Sequence, residues 1–416
     1  MRSIAPIHLP PRPTVARCLM LAGLLLPAVA RAQLTEEVAV QRALARPAVR
    51  DLVEGEVDAA RGEALRAGLW PNPVLSYSRE RSTGGSTSAG DDLALVTQTF
   101  DISGRRGLRS DAAGRRVEAT RARGAFTRLG LELEVRARFH ELLAAERRVA
   151  ATAEALNRID GLSTTVRRRQ AAGDASGYER GRLEREHASI AARAAVEEAG
   201  HARARARLGG LLGTTEVPTV TGELLPAGAP PALDGLSSRI KSRPDLRALA
   251  EEAEAGSLDA RAGGRGWIPE LTLSGGYKGW TAQDERLKGF AVGVAIPFPL
   301  FDRGQDEALR GDGRARAARA RLALETDVAN AEVTGLHAQA AALSEAARRF
   351  RAEALETSRR LIVSADAAYR GGELGVLELV DAHRGALDAE LQALELELTA
   401  RRARLDLDLA TGGTTR

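Results

Sequence analysis

Cysteine occurs once in the 416 residues, at Cys18. Neither a disulfide framework nor a cysteine-ligated metal can therefore organise the chain. Aromatic residues make up 3% of it, against 44% hydrophobic residues overall. The apolar material is thus mostly Ala, Leu and Val, which suits long helices rather than a β-sandwich or an α/β enzyme. The six histidines, at 8, 140, 187, 201, 337 and 383, include no pair at zinc-binding spacing, and no metal site is expected. Catalytic constellations are missing too. Serines are scattered, and GGRG at 263–266 lacks the Lys-Ser/Thr of a phosphate loop. The reading is of a non-enzyme without a cofactor. The formal net charge is +4, which by itself suggests an acidic partner such as nucleic acid.

The first 32 residues change that charge argument. Arg2, Arg12 and Arg17 precede a 13-residue apolar run, Cys18 to Ala30, which ends in Ala30-Arg31-Ala32. A basic segment, a short apolar run and an A-x-A site form an export signal, too short to span a bilayer. Cleavage is expected before Gln33. Cys18 opens the apolar run rather than following it, so it is not a lipid-anchor cysteine. Four of the 60 basic residues and none of the 56 acidic ones lie in this segment, leaving 56 of each. The nucleic-acid reading loses its support. No later stretch reaches 18 apolar residues, so no transmembrane helix is expected.

Residues 33–416 read as one pattern written twice. Gly173-Asp174 and Gly372-Glu373 both interrupt long helical runs. WPNPVLSYS at 70–78 and GWIPELTLS at 266–274 both open strand-like segments, and Phe100-Asp101 and Phe301-Asp302 both close the next one. ARARLGGLLG, ending at Gly213, resembles RARLDLDLATGG at 402–413. The organisation expected is a first repeat over 33–217, a Pro/Gly-rich linker over 218–235 and a second repeat over 236–416, the two forming one intertwined domain. Each copy runs helix, strand, strand, very long helix, tight turn, long helix.

Strands are expected at about 73–83, 92–100, 269–279 and 289–298, joined by polar loops at 84–91 and 280–288. Leu271, Leu273 and Tyr277 share a face opposite Thr272, Ser274 and Lys278. Phe290, Val292, Val294 and Ile296 oppose Ala291, Gly293 and Ala295. Such segments fit membrane β-strands with one apolar and one small or polar face, or two ordinary soluble hairpins. Trp70, Trp267, Trp280, Tyr77 and Tyr277 lie at strand ends, as interfacial aromatics or as packing beneath the sheet. Residues 104–171 and 304–370 contain no Pro. Each reads as one helix of some 65 residues, roughly 100 Å long, which requires coiled-coil-like packing. Leu377, Leu391, Leu398 and Leu405 follow one heptad register and Val380, Leu387 and Leu394 another, with Arg384 and Arg401 on the seam. Four strands cannot close a barrel, and lipid does not tolerate open edges. Chains must associate: two give a filled eight-stranded barrel, three a twelve-stranded one with a lumen.

WPNPVLSYS, VTQTFDISGRRGLRSDAA (96–113), RPDLRALAEEAEA (243–255), AIPFPLFDRGQ (295–305) and YRGGELGVLELVDAHR (369–384), in that order, resemble the TolC-type outer-membrane efflux protein family. The Q-x-F-D-x-x-G-R-R form looks most like its cobalt–zinc–cadmium branch. The resemblance implies a mainly α fold with a membrane β-barrel, assembled as a homotrimer with twelve strands over an α-helical periplasmic tunnel. It implies a passive exit duct in the outer-membrane lipid. The partners implied are a periplasmic adaptor protein and an inner-membrane resistance-nodulation-division transporter, with metal ions favoured over drugs as cargo. A type I protein-secretion channel is the alternative within the family, and a periplasmic coiled-coil scaffold the alternative outside it. Many members of the efflux branch are lipoproteins, and Arg46-Pro47 stands where relatives often have Asn-Pro.

The resemblance also carries site residues over. Tyr369, Glu378 and Asp381 match the periplasmic gate positions, and Leu374 stands at the usual gate arginine. Glu378 and Asp381, three residues apart, share one helix face, and threefold symmetry would gather six carboxylates at one aperture. Glu378 and Asp381 would equally suit a helix N-terminus through its dipole. Gly173, Asp174, Gly371, Gly372 and Glu373 fall in the two turns implied to meet the adaptor, where glycine allows positive φ.

Overall fold

A computed structural model describes residues 33–84, 87–282 and 285–413. The expected export signal, 1–32, lies outside them. Two short helices, α1 (Glu36–Leu44) and α2 (Pro47–Gly68), lead into strands β1 (Val74–Gly84) and β2 (Thr87–Phe100). Helix α3 (Arg105–Ala171) follows and turns back as α4 (Gly177–Leu212). The order then recurs. Helices α5 (Leu233–Ile240) and α6 (Pro244–Gly263) precede β3 (Leu271–Ala282) and β4 (Glu285–Ala295). Helix α7 (Gln305–Arg349), a π-helical stretch Phe350–Leu355 and α8 (Glu356–Arg370) run on as one rod, and α9 (Val376–Ala410) returns.

Proline-free, Ala-, Arg- and Glu-rich sequence lets α3 extend for 67 residues, roughly 100 Å at 1.5 Å per residue. Positive-φ glycines mark matching joints in the two halves. Gly104 (φ 72°) and Gly304 (79°) stand at the starts of the long rods, Gly173 (88°) and Gly372 (78°) at their reversals, and Gly213 (71°) and Gly412 (81°) after the return helices. The second rod differs from the expectation of one uninterrupted helix over 304–370, because the π stretch interrupts its α-helical hydrogen bonding.

The core lies between helices. Its main cluster joins Phe139, Leu142 and Ile159 of α3, Leu183 and Leu208 of α4, and Val380, Leu387, Leu391, Leu394 and Leu398 of α9. A second cluster joins Leu236 and Ile240 of α5, Val333 of α7 and Leu407 of α9. Helix α9 contacts both α3 and α7: both of its heptad registers feed the main cluster, while Ala403, Leu407 and Ala410 join the second. Neither seam arginine is left without a partner. Arg384 is exposed and bonds Asp381 at 2.6 Å. Arg401 donates to the carbonyls of Glu223, Leu224 and Leu225 at 3.0–3.1 Å, satisfying a segment that has no regular partner. Helices α6 and α7 approach backbone to backbone. A Cβ on Gly263 would lie 2.2 Å from the Ala308 nitrogen, and one on Gly311 2.3 Å from that of Ala260.

The four strands form one antiparallel sheet in the order β1-β2-β3-β4. They are longer at their tips than expected. Much of 84–91 and 280–288 is strand rather than loop: Asp91 pairs with Glu80 and Trp280, and Arg286 pairs with Thr281. Polarity there misleads, because a strand projecting beyond an apolar layer into water is polar and still makes its ladder. At the other end β4 stops at Ala295 instead of 298, where Pro297 and Pro299 cannot donate to a neighbour.

Candidate functional site: the strand sheet and the two helix turns

The register sorts the sheet into two faces. Across all four strands, Leu75–Val96–Gly275–Val292 and Tyr77–Ala94–Tyr277–Phe290 form consecutive rows on one face, with Gln98–Leu273–Val294 below them. The opposite face holds Ser76–Leu95–Gly276–Ala291 and Thr97–Ser274–Gly293. Gly276 thus faces the small side and Gly275 the apolar side. The apolar side is uncovered: Phe290 is 86% exposed, Val292 76% and Leu75 76%. A contiguous exposed patch of this kind calls for lipid or protein against it. Strands β1 and β4 each present an unpaired edge within the single chain.

Below the sheet, tight packing couples strands to rods. Trp70 meets Phe100 edge-on with ring centroids 6.0 Å apart, and the Arg106 guanidinium lies 3.9 Å from the Trp70 ring centroid. Trp70 therefore belongs to this junction, whereas Trp267 is 62% exposed. Tyr77 and Tyr277 sit in one row of the apolar face. Glu307 of α7 accepts from Arg105 at 2.6 Å and from Arg109 at 2.7 and 2.8 Å. The bond from Arg109 is the largest influence on its pKa, and it outweighs the opposing effect of burial. With help from Arg105, the carboxyl is held at about 2.

At the far end of the rods, both reversals are Schellman turns. In the first, the N–H groups of Gly173 and Asp174 donate to the carbonyls of Gln170 and Arg169, at 3.0 and 2.8 Å. In the second, Gly372 and Glu373 donate to Tyr369 and Ala368, at 3.2 and 2.9 Å. One glycine per turn uses positive φ. Gly371 does not, with φ of −75°, so the need for glycine there is not conformational. Ser176 and Glu179 cap α4 reciprocally. Gly173, Asp174, Gly371, Gly372 and Glu373 are all exposed at the tips.

Of the expected gate positions, Tyr369 packs against the main core, and its hydroxyl lies 3.5 Å from the Arg169 Nη1 of the first turn. That arginine, not position 374, faces the tyrosine, and its proximity is a long-range contact between repeats with no local sequence signal. Asp381 pairs with Arg384 of its own helix. Glu378 is the third residue of α9 and folds back over Gly375, as a helix N-terminus favours. Glu378 and Asp381 are both exposed, and within one chain they do not meet Tyr369 through any hydrogen bond.

Sequence reasoning also missed a pair of arginines. Arg46 precedes Pro47, the first residue of α2, and donates from Nη1 to the carbonyls of Gly210 and Leu211 at 3.0 and 2.8 Å. Arg243 precedes Pro244, the first residue of α6, and donates from Nη1 to the carbonyl of Ala410 at 3.0 Å. Each cation serves the C-terminal end of the helix that closes its repeat. The repeated Arg-Pro dipeptide was the available signal. Between α3, α4, α8 and α9 lies a cavity of about 660 Å³, lined by Arg147, Ile190, Arg351, His383 and Glu397 and adjoining the π stretch.

A free-edged four-stranded sheet with one uncovered apolar face, carried on paired rods about 100 Å long, defines the class of fold. Residues 235–413 match the family model described as outer membrane efflux protein. The nickel-cobalt-cadmium resistance protein NccC of Alcaligenes xylosoxydans xylosoxydans is 29% identical over 68% of this chain and 65% of its own length. The match thus spans just under two thirds of that relative. The cobalt-zinc-cadmium resistance protein CzcC of Cupriavidus metallidurans is 25% identical over 82% of this chain and 80% of its own. Among solved structures, the MtrE outer membrane channel of Neisseria gonorrhoeae superposes with a TM-score of 0.72 at 20% identity, covering 91% of this chain and 89% of that one. The second half of the chain thus matches the outer membrane efflux protein family, and most of its length is similar to these two resistance proteins.

Proposed function

We propose that the protein is the outer-membrane exit duct of a tripartite pump that expels metal ions. The observation that carries this reading is the four-stranded sheet with two free edges and one uncovered apolar face. Rotational association of three chains pairs β4 of each with β1 of the next and closes twelve strands, which leaves no edge in lipid and leaves a lumen. The small face then lines the pore, and the rods continue it on the periplasmic side. Resistance to nickel, cobalt, cadmium or zinc in the named relatives supports metal ions as cargo. The energy comes from an inner-membrane transporter reached through an adaptor.

In this reading the adaptor meets the two exposed turns, through Gly173, Asp174, Gly371, Gly372 and Glu373. The gate forms at the same end from Tyr369, Glu378 and Asp381, with Arg169 as the partner of Tyr369. Glu378 and Asp381 of three chains form an acidic ring that attracts cations and resists closure unless paired. The Arg384 partner of Asp381 moderates that repulsion.

Fractionation tests the reading. The expected result is an SDS-resistant trimer in the outer membrane, and metal sensitivity on deletion of the gene. Release by a salt wash as a monomer would favour a periplasmic scaffold instead. For the gate, Glu378→Ala with Asp381→Ala is expected to change single-channel cation selectivity, and unchanged current and selectivity would remove both residues from it.

A further inference from the structure

The register that separates the apolar face from the small face also sorts charge. On the apolar face, two more rows follow Tyr77–Ala94–Tyr277–Phe290 toward the strand tips. They are Arg79–Asp92–Gly279–Lys288 and Arg81–Gly90–Thr281–Arg286, which hold four cations and one carboxylate. Over the same stretch the opposite face carries Glu80, Asp91 and Glu285 against Lys278 alone. Because neighbouring residues of a strand point to opposite faces, Arg79-Glu80-Arg81 and Glu285-Arg286 send base outward and acid inward.

The single outward carboxylate organises the belt without neutralising it. Asp92 accepts from the Tyr77 hydroxyl at 2.8 Å, and its oxygens lie 3.4 Å from Arg79 Nε and 3.3 Å from Arg286 Nη2. It thus holds guanidinium groups from both edge strands. Its side chain is 17% exposed while those of the two arginines are 57% and 66% exposed. Among the described residues, Arg81 and Lys288 have no carboxylate within 4.0 Å.

The geometry points to a binding site for the phosphorylated headgroup of an outer-leaflet lipid. The chemistry that fits is that of lipid A, a disaccharide bearing phosphates and several acyl chains. The inference rests on the outer-membrane reading above. A ligand here must offer hydrocarbon to Phe290, Val292, Leu75 and Val96, and anionic charge one and two rows higher. Guanidinium groups match phosphate oxygens in bidentate fashion, and tyrosines at the boundary row suit a headgroup interface. A free anion would gain nothing from the apolar rows. A soluble polyanion would have to enter the bilayer to reach them.

The test uses the full-chain protein purified as its trimer. Binding of diphosphorylated lipid A, of the same lipid with its phosphates removed and of inorganic phosphate is measured by native mass spectrometry and by titration in nanodiscs. The variant R79Q/R81Q/R286Q/K288Q is compared with K278Q, which alters the opposite face. The dissociation constant for diphosphorylated lipid A is expected to rise about a hundredfold in the quadruple variant, at about one tenfold step or less for each net charge removed. K278Q should bind as the wild type does. The dephosphorylated lipid should bind the wild type about as weakly as the intact lipid binds the variant, and added salt should weaken only the phosphorylated lipid. Equal lipid A binding by wild type and quadruple variant overturns the inference, as does equal binding of the two lipid forms. Displacement of the lipid by equimolar inorganic phosphate would show a free-anion site and also overturn it. If the quadruple variant fails to assemble, the comparison of lipid forms on the wild type decides alone. Failure of the wild type to trimerise in membranes would remove the duct reading itself, a result distinct from these.

Discussion

Arg109 grips Glu307 with two N–H···O bonds of 2.7 and 2.8 Å, tying the first long rod to the second directly beneath the sheet. Arg105 adds a third bond to the same carboxylate. Glu307→Gln is expected to cost about 1–2 kcal/mol, the lower end because Arg109 is partly exposed. Thermal melting followed by circular dichroism checks it. The carboxyl titrates at about 2 in the folded protein against an ordinary 4.5. Its depressed pKa therefore contributes stability that is complete above about 4.5 and lost as pH falls toward 2. Wild type should lose melting temperature over that window more steeply than Glu307→Gln, and parallel curves would dismiss the clamp.

Glu397 behaves in the opposite sense. It is buried in the wall of the inter-helix cavity and accepts from Arg351 at 2.7 Å. Burial raises its pKa despite Arg351 and Arg147 nearby. The ionised form is thus the costly one. Stability should rise as pH falls through the raised folded pKa, levelling off below the unfolded value near 4.5. Glu397→Gln keeps an oxygen for Arg351 and should match or exceed wild-type stability at pH 7, the difference shrinking as acid is added. A destabilised Gln variant at neutral pH would contradict this.

Arg46→Ala and Arg243→Ala each strip a cation from the C-terminal carbonyls of a long return helix. Each should lower stability by about 1–2 kcal/mol. The two effects should add, since the sites serve different helices. Lysine at either position should restore part of the loss, having charge without the forked geometry. Denaturant melts of the single and double variants read this directly.

The two turns separate a conformational role from a contact role. Gly173→Val and Gly372→Val place a branched side chain at φ of 88° and 78°, at a cost of about 1–2 kcal/mol each. Gly371→Ala, at φ of −75°, should leave stability unchanged. Cross-linking to a co-expressed adaptor then reports contact: loss with Gly371→Ala in an intact trimer supports docking there, and retention in all three variants refutes it.

The parts of this fold legible in sequence are those written in local periodicity. Alternation in Phe290, Val292 and Val294 defined a strand face, and heptads in α9 announced coiled-coil-like packing. The strand tips were not legible, because the polar residues Asp91 and Arg286 read as loop when judged by polarity and as ladder only once pairing is known. Nor was the Arg169–Tyr369 contact, which joins positions 200 residues apart. Arg401 stands on a heptad seam. Its role emerged only from the carbonyls of Glu223, Leu224 and Leu225, which no periodicity places beside it. The same holds for Arg46, which stands where relatives often have Asn and which the structure shows bonding the C-terminal carbonyls of α4.

The π-helical stretch at Phe350–Leu355 breaks the equivalence of the two halves. The first rod has 67 residues, and the second, from Gln305 to Arg370, has one fewer. A π turn also absorbs a residue without adding rise, so the second rod falls short of the first by about 3 Å. Both start from matched glycines, Gly104 and Gly304. Their tips are therefore not interchangeable: three assembled chains would present turns of two alternating heights, a crown of three unlike pairs. A partner seated on it must distinguish long from short, and six identical subunits could not all make the same contact.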